Sequence, residues 1–389
     1  MTERISGNYI GGRWWSSKTV LPVRSPVDRS VLAEVEMGGK AEAFAAADAA
    51  SEAFGAWSLT TARERADVLL EASRLMVGRS EEIGRLLSLD SGKRLPEAVA
   101  EVRFAADYFS WFAEQARRPI GAVLSPGACG RRQATLHRPA GVAVCLTPWN
   151  FPVSLAARKL APALAAGCTT VVRASERAPL GAIEMVSCLV DAGVPPGVVN
   201  LVQGPASEQT DALLSHPAVR IVSFTGSTEV GRRIMQLAAE RIVRPLLELG
   251  GDAAFIVFED ADLDAAVAGA MVAKFRNNGQ SCIAANRFFV QASVYAEFRD
   301  RFVAAVEEMS VGDPTTDPVA DLGPLIDDDR VAQVQAMVDE AMRTGARRLT
   351  SRVEVPSEGC YLAPTLLEDV PETVALSCRE IFGPVQAVA

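Results

Sequence analysis

From about residue 140 the chain alternates short apolar runs with segments of helical period, and this alternation limits its fold more than any other feature. Residues 142–146, 169–172, 198–202 and 221–224 read as strands, and 154–166, 179–191, 207–215 and 228–240 read as helices between and after them. A β-α-β-α order builds a mostly parallel sheet with helices on both faces. Parallel strands are buried on both sides, so a run such as Thr169-Thr170-Val171-Val172 needs no polar alternation. Ligands of such sheets settle beyond the carboxyl ends of the strands, which singles out the loops that follow these runs. A second alternating unit begins after Gly250-Gly251, with strands expected at 255–258 and 287–290 and helices at 262–277 and 294–309. Ahead of residue 140, stretches 41–57, 61–77, 80–88 and 96–117 look helical, and the turn-rich 120–138 suggests a projecting hairpin.

Charge and cysteine usage narrow the function classes. The net charge is −9 over 389 residues, and pairs such as Arg131-Arg132 and Arg232-Arg233 are too short to track phosphates, so no nucleic-acid partner is expected. The start Met1-Thr2-Glu3-Arg4-Ile5 lacks the apolar core of a signal peptide. Apolar runs are interrupted well before about 18 residues, so no membrane span is expected. Seven cysteines (129, 145, 168, 188, 282, 360 and 378) form no CxxC pair or zinc-ligand spacing, which fits a reduced, cytoplasmic protein without a metal site. Neither histidine, His137 or His216, lies beside an evident nucleophile in the sequence, so acid–base chemistry falls to a carboxylate.

Four loops carry the chemistry. Cys282 closes the polar loop Asn277-Asn278-Gly279-Gln280-Ser281-Cys282, whereas an inert cysteine usually sits in an apolar run, as Cys188 does. A loop cysteine by itself is more often inert than nucleophilic. Glu248 ends the apolar run Pro245-Leu246-Leu247. A carboxylate buried in such surroundings is either paired or carries a raised pKa, and the raised form suits a general base. In Thr147-Pro148-Trp149-Asn150-Phe151-Pro152, two prolines make a rigid corner that can aim the Asn150 amide at a developing oxyanion, although a turn asparagine bonded to its own backbone reads the same way. Gly226 and Ser227 stand at a strand-to-helix junction, where free N–H groups suit a pyrophosphate or simply form a cap.

These segments, together with Leu247-Glu248-Leu249-Gly250-Gly251 and Glu380-Ile381-Phe382-Gly383-Pro384, occur in one order and spacing. In that arrangement the chain resembles the aldehyde dehydrogenases, and most of all the succinate semialdehyde dehydrogenases. The resemblance implies an α/β fold with a Rossmann-type parallel-sheet cofactor domain (residues 1–119 and 139–249), an oligomerisation hairpin (120–138) and an α/β catalytic domain (250–389) that is incomplete at its C-terminus. It implies Cys282 as nucleophile, Asn150 as oxyanion donor and Glu248 as the base that activates water. Trp149, Gly226, Ser227, Glu380 and Phe382 would hold the dinucleotide. Glu176 would meet the adenosine ribose and favour NAD, while Arg173 and Arg177 beside it soften its repulsion of a 2′-phosphate and leave NADP open. Arg158 and Arg276 match arginines that grip a substrate carboxylate, so a short ω-carboxy aldehyde such as succinate semialdehyde is the expected substrate, with a non-carboxylated aldehyde as the alternative.

Two departures stand out. Where such enzymes often carry a redox-switching second cysteine, this chain has Ala284, so no disulfide switch is expected. Family members also continue well past the Phe-Gly-Pro motif, whereas this chain stops at Ala389 in what should be a strand. A fragment, or a truncated dinucleotide-binding remnant without catalysis, is therefore an alternative, and an open sheet edge is expected there. Dimers or tetramers are expected if the chain is complete.

Overall fold

The computed structural model describes residues 3–118, 121–125, 127, 129–316, 319–351 and 353–388. The expected strand–helix alternation is present. A seven-stranded sheet runs in the order Arg244–Glu248, Val219–Thr225, Val142–Leu146, Thr169–Arg173, Val199–Val202, Asn8–Ile10, Arg13–Trp15. Its first five strands are mutually parallel, and the two N-terminal ones close the far edge antiparallel.

Chain order steps outward from Val142–Leu146 in one direction, then returns to Val219–Thr225 on the other side. The crevice between these two strands is therefore the topological switch point, and the loops from Thr147 and Gly226 rise on either side of it. Side-chain alternation decides which helices cover which face. Val144, Leu146, Val171 and Phe224 pack against helices Lys40–Ser58, Ala206–Ser215 and Thr228–Arg241. Cys145, Val172 and Leu201 face the opposite layer, built from Ala62–Gly78, Ser80–Ser91, Leu95–Ala116, Pro152–Ala165 and Leu180–Asp191.

A five-stranded sheet follows, ordered Ala253–Val257, Ala285–Val290, Val385–Val388, Thr365–Glu368, Arg347–Arg348, parallel except for its last pair. The last described strand is thus in the middle of the sheet. The open edge expected there is not found, because Val385–Val388 is hydrogen-bonded to a neighbour on each side. Ala389 itself lies outside the described residues.

Two further differences from the sequence expectation are local, and the expected hairpin is present. Strands Glu3–Ser6, Val20–Arg24 and Val31–Glu36 form a small sheet that the mixed N-terminal sequence did not announce. The expected helix 262–277 runs only from Leu263 to Phe275, capped at its start by Asp262, because Asn277 and Asn278 both adopt left-handed backbone (φ 54° and 58°). In the 120–138 region, Gly121–Leu124 pairs antiparallel with Gln133–Leu136, and positions 120, 126 and 128 lie outside the described residues. Among the described residues, no helix is long and apolar enough to cross a membrane.

Candidate active site

The loops around the switch point and the loop before Ala285–Val290 meet in one place. Pro152 starts the helix Pro152–Ala165 and Asn150 lies just ahead of it, 4% exposed. The Asn150 Nδ2 donates to the Gln280 carbonyl at 3.2 Å, which ties the corner to the cysteine loop. Asn277 Nδ2 bridges the same two loops, donating to the Asn150 and Gln280 carbonyls at 2.9 and 3.0 Å. Asn278 is equally committed: its amide donates to Gly92 and Pro324 carbonyls and accepts from the Gly323 N–H. Two left-handed asparagines in succession are costly, and these buried bonds over-determine them.

Cys282 is half-buried at the end of this loop. Burial pushes its thiol above the ordinary value and the Glu380 carboxylate adds to this, while Arg158 pulls it back. The other cysteines are also unpaired, and burial drives Cys188 up to about 11 and Cys145 to about 12. Cys282 is thus not a ready thiolate; it needs a base or a nearby positive charge to become one.

Glu248 ends the strand Arg244–Glu248 and is solvent-exposed. The burial expected from its apolar neighbours is not found, because Arg244–Glu248 is an edge strand and every second side chain faces out. Its charge still reaches both Cys282 and Lys159. The histidines stay apart from this chemistry: His216 pairs with Asp48 at 2.9 Å.

The dinucleotide candidates line the same crevice. Trp149 and Phe382 meet edge to face with ring centroids 5.4 Å apart. Glu380 Oε1 accepts weakly from the Gly251 N–H at 3.5 Å, and burial raises the pKa of its carboxyl. Ser227 caps the helix Thr228–Arg241 by accepting from Val230 N–H, and its exposed position leaves that helix end open to an anion. The Gly250-Gly251 pair forms a cradle: a Cβ on Gly250 would lie 2.7 Å from Glu380 Oε2, and one on Gly251 would lie 2.3 Å from the Cys282 carbonyl oxygen. Open helix end, glycine cradle and half-buried carboxylate together fit a dinucleotide's pyrophosphate and ribose.

Arg173 and Glu176 stand one strand further on. Arg173 is buried, donates to the Gly204 carbonyl at 2.9 Å and pairs with Glu176, so the Glu176 charge is locally neutralised. Arg177 pairs instead with Asp327 at 3.0 Å.

Arg158 and Arg276 flank the corner from the solvent side, and both are exposed. Arg158 Nε donates to the Tyr108 hydroxyl at 2.9 Å, and its guanidinium lies 5.4 Å from that ring's centroid. The Arg276 guanidinium lies 5.4 Å from the Phe151 ring. Among the described residues neither arginine has a carboxylate partner.

Sequence reasoning missed several buried charges around this site. Lys159 donates to Ser223 Oγ and Thr225 Oγ1 at 3.1 and 2.7 Å, and burial lowers its pKa to about 8. Lys274 is fully buried against Asn286 Oδ1 at 3.1 Å and is lowered to about 7. Lys93 and Glu101 form a buried ion pair behind Asn150. No local signal distinguishes these lysines from surface ones, because only the tertiary fold buries them.

The sequence pattern of the family described as "Aldehyde dehydrogenase family" matches residues 14–389. A mitochondrial succinate-semialdehyde dehydrogenase of Arabidopsis thaliana is 42% identical over 379 residues, covering 97% of this chain and 71% of the relative. The NADP(+) succinate-semialdehyde dehydrogenase of Escherichia coli is 41% identical over 378 residues, 97% of this chain and 78% of the relative. The crystal structure of succinate-semialdehyde dehydrogenase from Burkholderia pseudomallei superposes with a TM-score of 0.96 at 39% identity, covering 99% of this chain and 80% of that one.

Proposed function

The chain belongs to the aldehyde dehydrogenase family, and from that premise we propose that it oxidises a short ω-carboxy aldehyde, succinate semialdehyde first among them, to the dicarboxylic acid with NAD or NADP. The observation that carries the substrate class is the pair Arg158 and Arg276: two exposed guanidinium groups beside the Asn150–Phe151 corner, neither with a carboxylate of its own among the described residues. Each is held by an aromatic ring rather than by a counter-ion, which leaves its N–H fork open to a substrate carboxylate.

The chain's own groups divide the reaction as follows. The Cys282 sulfur adds to the aldehyde carbon, and the thiol proton leaves to a base. The Asn150 amide and the Cys282 backbone N–H bind the oxyanion that forms; one Asn150 N–H is committed to Gln280, which orients the other. Gly226 and Ser227 at the helix end and the Glu380 carboxylate would hold the dinucleotide, which would supply the acceptor for the hydride lost by the carbon bonded to the Cys282 sulfur. The acyl group left on Cys282 is a thioester, and Glu248 takes a proton from the water that hydrolyses it. The exposure of Glu248 suits that task, since its carboxylate is in contact with solvent.

The Arg173–Glu176 pair supports use of either dinucleotide. A free Glu176 would repel a 2′-phosphate, but its charge is already met by Arg173. We place the protein in the cytoplasm, supported by seven unpaired cysteines. The Gly121–Leu124 and Gln133–Leu136 ribbon serves assembly into a homo-dimer or tetramer, supported by Val123 and Leu136, which stand 87% and 76% exposed on it.

The test is reduction of NAD and of NADP by the purified chain with succinate semialdehyde and with a neutral aldehyde of equal length. Cys282→Ala should abolish turnover. Arg158→Ala and Arg276→Ala should each raise KM for the carboxylated substrate by about 10-fold or more, the scale of one charge-assisted contact, and leave the neutral one unchanged. Equal effects on both aldehydes would sink the carboxylate reading while leaving the oxidation chemistry intact.

A further inference from the structure

Behind the oxyanion corner lies an ion pair that the reaction as described does not use. Lys93 is 0% exposed and Glu101 is 5% exposed. Lys93 stands in the turn between helices Ser80–Ser91 and Leu95–Ala116, and Glu101 on the second of these. Lys93 Nζ pairs with Glu101 Oε2, donates to the Asn150 carbonyl at 2.9 Å and lies 4.0 Å from the centroid of the Phe151 ring. Glu101 Oε1 accepts from the Val153 and Ser154 N–H groups at 3.1 Å each, so it caps the helix that begins at Pro152. The pair therefore grips the corner on both sides of Asn150: the carbonyl of that residue, and the first free N–H groups after it.

The same turn also holds the cysteine loop. Gly92, immediately before Lys93, offers its carbonyl to Asn278 Nδ2 at 3.0 Å, and Asn277 Nδ2 shares the Asn150 carbonyl with Lys93. The Gly92–Lys93 turn is thus the common anchor of the loop carrying the oxyanion donor and the loop carrying the nucleophile.

We infer that Lys93, held by Glu101, is a positioning residue that fixes the Asn150–Phe151 peptide and so aims the Asn150 amide at the oxyanion formed on Cys282. The inference rests on the oxyanion role proposed for Asn150. Stability alone is a poor reason for such a pair, because burying two charges costs several kcal/mol of desolvation and apolar side chains of similar volume usually serve as well. Geometry is a better reason. An amide carbonyl held by two donors cannot rotate its peptide plane, and the Asn150 side chain branches from that plane. A transition-state donor displaced by about 1 Å loses on the order of 100-fold in rate.

The test is a double-mutant cycle between Lys93 and Asn150, read by the pre-steady-state burst of dinucleotide reduction with KM measured alongside. Lys93→Met/Glu101→Gln removes both charges together, so no unpaired ion is left buried. It should slow the burst by about 10- to 100-fold while KM for the aldehyde stays nearly constant. In an Asn150→Ala background the same two substitutions should cost almost nothing further, because the group they aim is gone. Glu101→Asp provides a second arm with the ion pair retained and the carboxylate withdrawn by one methylene. It should show a smaller loss, again absent in the Asn150→Ala background. Equal losses in both backgrounds, or a parental burst rate in either Lys93 or Glu101 variant, would overturn the positioning role. A parental burst in Asn150→Ala itself would overturn the proposed oxyanion function, and is a distinct result.

Discussion

Gly250 and Gly251 are neighbours with nearly opposite consequences if a methyl group is added. At Gly251 the new Cβ would stand 2.3 Å from the Cys282 carbonyl oxygen and 3.5 Å from its carbon. Both are backbone atoms, and real Cβ contacts below 3.0 Å are essentially absent, so the strand ends must part by at least ~0.7 Å. That displacement lands on Cys282, the residue proposed as the nucleophile. At about 100-fold in rate per 1 Å of misplacement, Gly251→Ala should lower kcat by roughly 20- to 100-fold, with overpacking costing about 1–3 kcal/mol of stability. At Gly250 the obstacle is Glu380 Oε2 at 2.7 Å, the tip of a flexible side chain. Gly250→Ala should therefore leave the cysteine loop in place and act through Glu380, raising KM for the dinucleotide with less effect on the burst. Burst kinetics, KM for both substrates and a thermal melt on the two variants make the comparison. A Gly251→Ala enzyme with kcat within twofold of the parent would refute the claim that this contact sets the position of Cys282.

Two further outcomes follow from the charges around the site. Because Glu380 helps hold the Cys282 thiol above its ordinary value, Glu380→Gln should lower the thiol's pKa and speed its alkylation by iodoacetamide at pH 7; unchanged or slower alkylation would contradict that coupling. Lys274 and Lys159 titrate at about 7 and about 8 in the fold but near their ordinary value of 10.5 when unfolded. Between pH 7 and 9 the unfolded chain thus binds more protons, so stability should rise with pH in that window. Above it the buried thiols, raised to about 12 at Cys145 and Cys360, reverse the trend. Melting temperature measured against pH checks this, and a Lys274→Met/Lys159→Met chain should show a flatter profile; an equally steep rise in that variant would refute the assignment.

What was legible in the sequence depended on whether chemistry or tertiary packing made the choice. The strands Val142–Leu146 and Thr169–Arg173 announced themselves because burial on both faces demands an uninterrupted apolar run. Cys282 and Asn150 stood out because the roles proposed for them, nucleophile and amide donor, need particular residue types on particular loops. Glu248 shows the limit of that reasoning. Its apolar neighbours suggested burial, but the edge position of Arg244–Glu248, which no local pattern reveals, turns it outward. Lys93 marks the opposite error. Between Gly92 and Arg94 it looks like any solvated loop lysine, and its burial follows only from the packing of helices distant in sequence. The left-handed backbone at Asn277 and Asn278 was invisible for a similar reason: asparagine permits that conformation without requiring it.

The placement of Val385–Val388 between Ala285–Val290 and Thr365–Glu368 has a consequence for how the molecule comes into being. Arg287 waits for Ala387, a hundred positions later in synthesis. At roughly 5–20 residues per second, a growing chain spends many seconds with the Ala285–Val290 edge unpaired on that side, and Thr365–Glu368 borders the vacant lane only for the last 20 positions. Among the parallel strands from Val142 to Glu248 the longest wait is that of Val142–Leu146 for Val219–Thr225, 77 positions from Val142 to Val219, and all of them can pair before Glu380 is made. Trp149, Gly226 and Ser227 are accordingly in place before Glu380 and Phe382 arrive, and the two walls of the dinucleotide crevice are built at different times. The nascent protein passes through a stage in which one wall is folded and the sheet behind the other is an open template for stray strands. Contacts of such long sequence separation are slow to form, and until they do the unpaired edge of Ala285–Val290 is open to aggregation.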